Sequence, residues 1–216
     1  VLKTELPDAA SVRIAGGRVK RVTLMATKEP HCLGDLLIRA KFRDLPMEVA
    51  GVIANHDTLR ELTESLGVPF HHIPAEGRSR EEHEALVRAR VDTDRPDLVV
   101  MAKYMRILTS GFIQAYRHRI VNIHHSFLPA FIGANPYRQA WERGVKIIGA
   151  TAHYASEDLD EGPIIAQDVI PVNHTHGPKD MARNGHDVEK RVLARAVRYV
   201  LEDRVVVTGN KTVIFE

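Results

Sequence analysis

Five residues near the middle of the chain, Asn122-Ile123-His124-His125-Ser126, form the densest group of side chains fit for polar chemistry. An Asn amide donates hydrogen bonds to a developing oxyanion, and an imidazole donates a hydrogen bond or carries a proton. The group ends a short apolar stretch, residues 119–123, that reads as a buried strand. Side chains alternate along a strand, so Asn122 and His124 project to one side. Together they suit attack on a carbonyl carbon. The plainer reading is an Asn/His loop that satisfies exposed backbone groups, and spacing alone favours it.

A second group is acidic: Glu157-Asp158-Leu159-Asp160-Glu161-Gly162-Pro163. Such a block normally marks a solvated loop. This one joins two apolar runs, residues 146–154 and 163–172, where a carboxylate can overhang a sheet. Desolvation would raise the pKa of such a carboxylate and make it a base. Spacing does not choose among the four acids.

The elements that must position these groups follow from periodicity. Residues 22–27, 47–54, 70–73, 97–102 and 119–123 are apolar runs expected as strands, and 97–102 reads as one covered on both faces. Between them, Cys32, Leu33, Leu36, Leu37 and Ala40 recur at helical spacing, as do Leu59, Leu62 and Leu66, and then Leu86, Val87 and Val91. Strands alternating with helices imply βαβ units and a mostly parallel sheet. Asn135-Pro136 is a helix start and Gly144 its stop. A long helix is expected over residues 180–202, then a hairpin turning at Gly209-Asn210. The sheet is therefore mixed, in one α/β domain spanning residues 21–216, with residues 1–20 a linker or N-terminal extension.

Composition sets outer bounds. The chain has 216 residues, 44% hydrophobic and 27% charged, with a net charge of +2, so it lacks the concentrated positive charge that non-specific nucleic-acid binding needs. No run reaches the length of a membrane span, and the first residues lack the apolar core of a secretory signal. One cysteine, Cys32, suits a reducing compartment. No membrane or nucleic-acid partner and a cytoplasmic location are expected. Twelve histidines raise the question of a metal, but no H-E-x-x-H or zinc-spaced Cys/His pair occurs, and the neighbours His71-His72 and His124-His125 should diverge on strands. No metal is expected. Absence of G-x-G-x-x-G argues against a dinucleotide. Cys32 reads as a small core residue, and Tyr137, Ala140 and Trp141 as packing rather than ligand contacts.

Three ordered motifs carry a family resemblance: Asn122-Ile-His124-His125-Ser-Phe-Leu-Pro129, Gly149-Ala-Thr151-Ala-His153 and Leu159-Asp160-Glu161-Gly162-Pro163. Together they resemble the formyltransferase family that uses 10-formyltetrahydrofolate, over about residues 22–215. Residues 124–133 look like its hydrolytic branch, since relatives usually carry Pro after the catalytic His. The resemblance implies a Rossmann-like formyltransferase fold, a mostly parallel mixed sheet flanked by helices. It places the catalytic Asn, His and Asp on Asn122, His124 and Asp160. It assigns Met105, Arg106, Ile107 and Leu108 to the folate pterin pocket, with a loop of Ala155, Ser156, Glu157 and Asp158 closing over it. His125, Thr151 and His153 would support the site, His153 as a partner of the Asp. The branch usually carries an N-terminal ACT regulatory domain, of which residues 1–20 would be the connection. A homo-oligomer is expected for the family, with the long C-terminal helix as an available interface.

The implied reaction is hydrolysis of 10-formyltetrahydrofolate to tetrahydrofolate and formate, the folate being the substrate and no cofactor being needed. The expected mechanism has Asp160 deprotonate water directly or through His124, while Asn122 and His124 hold the oxyanion. The alternatives are formyl transfer to an amine such as glycinamide ribonucleotide, or a folate-binding module without catalysis. The glycinamide ribonucleotide enzyme cradles a phosphate in a Gly-Ser-Asn loop after its first strand. Here that stretch is Thr27-Lys28-Glu29-Pro30-His31-Cys32, where Pro30 removes an N–H donor and Glu29 repels phosphate. Water is the expected acceptor.

Overall fold

A computed structural model describes residues 17–130 and 136–215. The expectations for residues 1–16, for the stretch after Ala130 and for an Asn135 helix cap lie outside those residues. The chain alternates in its first half: β1 (Lys20–Ala26), α1 (Pro30–Lys41), β2 (Met47–Ala54), a 3-10 turn (Asp57–Leu59) running into α2 (Arg60–Ser65), β3 (Phe70–His72), α3 (Arg80–Asp94) and β4 (Leu98–Met101). It continues through α4 (Ser110–Ala115), β5 (Ile120–His124), α5 (Pro136–Arg143), β6 (Ile147–Tyr154), β7 (Ile164–Pro171), α6 (Pro178–Leu201), β8 (Val205–Thr208) and β9 (Lys211–Ile214).

Seven strands form one sheet in the order β3-β2-β1-β4-β5-β6-β7. The first five run parallel, and β6 and β7 are antiparallel to their neighbours. The mixed α/β sheet expected from the sequence is therefore present, with β8 and β9 as a separate hairpin. Helix α4, capped by the Thr109 hydroxyl accepting from Phe112 N–H, lies outside the sequence expectation. Six residues are too few for a hydrophobic period to stand out.

Strand alternation sorts side chains onto two faces. Val22, Leu24, Val52, Leu98, Val100, Val121, Ile123, Ala150 and Ala152 join one core with residues of α1 and α6. Met25, Ile53, Val99, Met101 and Ile120 join the other with Val87, Val91, Phe112 and Ile113 of α3 and α4. Asn122 and His124 share the parity of Ile120, and Thr151 and His153 oppose them across the ladder, His153 facing Asn122 and Thr151 facing His124. Four polar side chains are thereby gathered where β5 and β6 pair.

The apolar stripe of α6 is used inside the molecule. Val188, Val192, Leu193, Val197 and Leu201 are buried against α1 and the sheet, so the stripe that the period marks belongs to the core of this chain. Cys32 is buried at 1% exposure in the same core, as a small core residue should be.

Candidate active site

His124 ends β5, and its ring is almost buried. Its Nδ1 donates to Asp160 Oδ2 at 3.1 Å. Its Nε2 is buried without a hydrogen-bond partner in the structure, and His124 lines the cleft. One nitrogen is therefore tied to a carboxylate while the other can exchange a proton with a substrate.

Asp160 reaches this position through the loop between β6 and β7. Its φ is +59°, a left-handed conformation that Asp tolerates better than most residues. Ser156 Oγ donates to the Asp158 carbonyl at 2.7 Å, which tightens the approach. Gly162 closes the loop against β6. A Cβ there would lie 1.8 Å from the Tyr154 carbonyl oxygen, so the chain can pass only as glycine.

His153 completes the cluster. Its Nδ1–H donates to the Tyr154 carbonyl at 2.9 Å. In the neutral ring, Nε2 then accepts from Asn122 Nδ2 at 3.2 Å, which turns the amide nitrogen toward it and leaves a second N–H for an oxyanion. In the charged ring, Nε2–H turns to Asp160 Oδ1, 3.5 Å away. Burial opposes the charge on Asp160, but hydrogen bonds and charge from His124 and His153 prevail and hold the carboxyl well below the usual range. This corrects the expectation of a raised pKa. Desolvation is present, yet two imidazoles overcome it.

A cleft of about 570 Å³ opens beside these groups, a volume within the usual range for small-molecule sites. Met105, Arg106, Ile107, Leu108, Ala155, Ser156 and Glu157 line it. Arg80, at the start of α3, donates to the carbonyls of Ile107 and Leu108 at 3.2 and 2.9 Å, and Glu84 accepts from Thr109 N–H at 2.7 Å. Thr27 ties in the near end, its Oγ1 accepting from Met105 N–H at 2.9 Å. Met105 and Ile107 are left more than half exposed, apolar surface that a ligand in the cleft would cover.

Two of the predicted site residues stand back from the cleft. Asp158 shapes the loop through its carbonyl. Thr151 is fully buried, donates to the Ser126 carbonyl at 2.9 Å and accepts from Leu128 N–H at 3.0 Å. It anchors the turn after β5. His125 lines the cleft, and burial, followed by the charge of Lys103, pushes its pKa down to about 4. The His124 and His125 rings lie 5.3 Å apart rather than diverging, because the strand ends at His124. Tyr137 packs against the cluster of Ala140, Ile148, Val172 and Met181, as expected, and it also lines the cleft and donates to Glu189.

The sequence reading missed a second polar group beside the cleft. Lys103 Nζ, at 4% side-chain exposure, lies 3.3 Å from Glu189 Oε2 and 3.8 Å from Glu29 Oε2. Its signal was a lone lysine directly after an apolar run. Glu29, His31 and His186 place ligand-type atoms within 4.8 Å of one another, from segments too far apart to form a spaced motif. The His31 and His186 rings are stacked at 4.0 Å and 9°. An ion in the plane of one ring would lie out of the plane of the other, and Lys103 brings a competing positive charge. The group therefore fits a metal poorly.

Comparison with known proteins gives the family. The formyl transferase family model matches residues 20–197. A formyltetrahydrofolate deformylase of Escherichia coli is 54% identical over 213 residues, 99% of this chain and 76% of that protein. The crystal structure of a formyltetrahydrofolate deformylase from Pseudomonas syringae superposes with a TM-score of 0.91 at 50% identity, covering 93% of this chain and 67% of that one. A glycinamide ribonucleotide transformylase from Symbiobacterium toebii reaches 0.88 at 32% identity, covering 97% and 100%. The chain thus belongs to the formyl transferase family, among its formyltetrahydrofolate deformylases.

Proposed function

We propose that this chain hydrolyses 10-formyltetrahydrofolate to tetrahydrofolate and formate, with Asn122, His124 and Asp160 as the catalytic residues. The observation that carries the mechanism is the divided His124 ring, with Nδ1 on Asp160 and Nε2 unpartnered. The folate is the substrate, seated along residues 105–108 and under the 155–158 loop.

Water enters beside His124 and attacks the formyl carbon while its proton passes to His124 Nε2. Asp160, held ionised, is a weak base itself but stabilises the imidazolium that forms. Of the two expected proton routes, this favours the one through His124. The oxyanion accepts from Asn122 Nδ2–H, an interaction worth about 3–4 kcal/mol per donor in other enzymes. The carbon–nitrogen bond then breaks with its electrons on the folate nitrogen, which receives the proton from His124. Formic acid leaves and loses its own proton to solvent.

Transfer to an amine is the weaker reading. Pro30 removes an N–H donor at the first turn of α1, and Glu29 faces the cleft with a carboxylate. We also place the enzyme in the cytoplasm and in a homo-oligomer. Among the described residues, no helix is long and apolar enough to cross a membrane, and Phe42, at 77% exposure, offers apolar surface for self-association.

The test is Asp160→Asn. Asparagine also tolerates the left-handed backbone, so the loop should hold while the charge is lost. Formate release is expected to fall at least a thousandfold with folate-analogue affinity within tenfold of wild type. Turnover at the wild-type rate would sink the mechanism.

A further inference from the structure

The cleft runs across the carboxyl edge of the sheet, and its two halves come from opposite faces. Leu108 and Ala155 pack with the core of α3 and α4. Glu29 sits at the start of α1, and His186 projects from α6, the two helices of the opposite core. His124 and Asp160 line the same cleft. If folate occupies the first half, as the proposed function holds, an acceptor must approach through the second.

That second half is already occupied by charge. Lys103 Nζ lies between the carboxylates of Glu189 and Glu29, at 3.3 and 3.8 Å. Glu189 is itself fully buried, accepts from His31 Nε2 at 2.8 Å and from Tyr137, and is therefore fixed. Glu29 Oε2 is buried and makes no hydrogen bond. The place where two carboxylates would attract an incoming amine is filled by the protein's own ammonium, which has no lone pair with which to attack.

The backbone of Lys103 supports a functional reason for this arrangement. Its φ is +63°, a region that disfavours lysine, and Thr27 N–H holds its carbonyl at 3.2 Å. Residues kept in costly backbone conformations cluster at functional sites. On the same side, His186 of α6 lines the cleft and stacks on His31 of α1. A substituted amine needs more room at that place than water does.

We propose that Lys103, wedged between Glu29 and Glu189, is the specificity-determining residue that reserves the acceptor side of the cleft for water. This rests on the hydrolytic reading and names the device that makes water the acceptor.

The experiment supplies 10-formyltetrahydrofolate with a high concentration of glycinamide and counts N-formylglycinamide and formate in the same sample by mass spectrometry. Lys103→Gly removes the ammonium and suits a positive φ. Glu29→Ser, at a half-exposed position, opens the same side with less risk to folding. The ratio of N-formylglycinamide to formate is expected to rise at least tenfold in both variants. Both products come from the same folded molecules, so a loss of folded protein leaves the ratio unmoved. An unchanged ratio in the two variants overturns the proposal, as does a wild-type chain that formylates glycinamide as readily as water. Wild-type protein that releases no formate with or without glycinamide overturns the hydrolytic reading beneath it instead.

Discussion

Within the proposed catalytic set, the charge on Asp160 and the free nitrogen of His124 are set by neighbouring side chains. Asp160 stays charged because two imidazoles outweigh its burial, and His124 has one free nitrogen because Asp160 holds the other. His125 follows the opposite logic. Burial and nearby Lys103 lower its pKa from 6.5 to about 4, so the folded protein resists protonating it. Between those values the unfolded chain binds more protons, and stability rises with pH. The contribution is intact above about pH 6.5 and is lost as pH falls toward 4. Replacing His125 with Asn should flatten the urea midpoint between pH 6.5 and 4 relative to wild type. Parallel profiles for the two proteins would show that His125 carries none of this dependence.

Elements bring these residues together through register. The pairing of Asn122 with His153 and of His124 with Thr151 puts four polar side chains on one patch, and a one-residue slip would turn them into the opposite core. The β6–β7 loop then has to return Asp160 over that patch, which depends on Gly162 passing against Tyr154. Gly162→Ala forces a Cβ into the Tyr154 carbonyl. Overpacking of this kind costs about 1–3 kcal/mol. The variant should lower the thermal midpoint and reduce kcat by more than tenfold, because the loop must shift and carry Asp160 with it. A variant with wild-type kcat and a lowered midpoint would separate the loop's structural role from its catalytic one and refute this linkage.

Across the whole molecule, apolar cores cover both faces of the sheet, and the cleft opens beside His124 at the end of β5. Met105 and Ile107 remain exposed there with no protein surface to cover them. A folate analogue should cover them and bind the folded chain alone. At a hundredfold excess over its Kd it is expected to add about 2.7 kcal/mol of stability, read as a rise in the urea midpoint. No rise at saturating analogue would mean that the cleft does not take folate. The same measurement on Met105→Ser should give a smaller rise.

Much of this was legible in the order of residues. The alternation of apolar runs with helical stripes determined the α/β class, since each period buries one face of one element. The span 47–54 coincides with β2, and the motif residues Asn122, His124 and Asp160 do meet. Local pattern did not reveal α4, too short to show a period, or the bond from Tyr137 to Glu189. Nor did it reveal the sign of the Asp160 shift. Burial alone predicts an elevated pKa, and only the fold sets two imidazoles against it. Lys103, Glu29 and Glu189 lie in three distant segments, and nothing in their spacing says that one ammonium will stand between two carboxylates. Linear sequence encodes faces and periods because those are local geometry. Distances between charges belong to the folded chain, and they decide which group holds the proton.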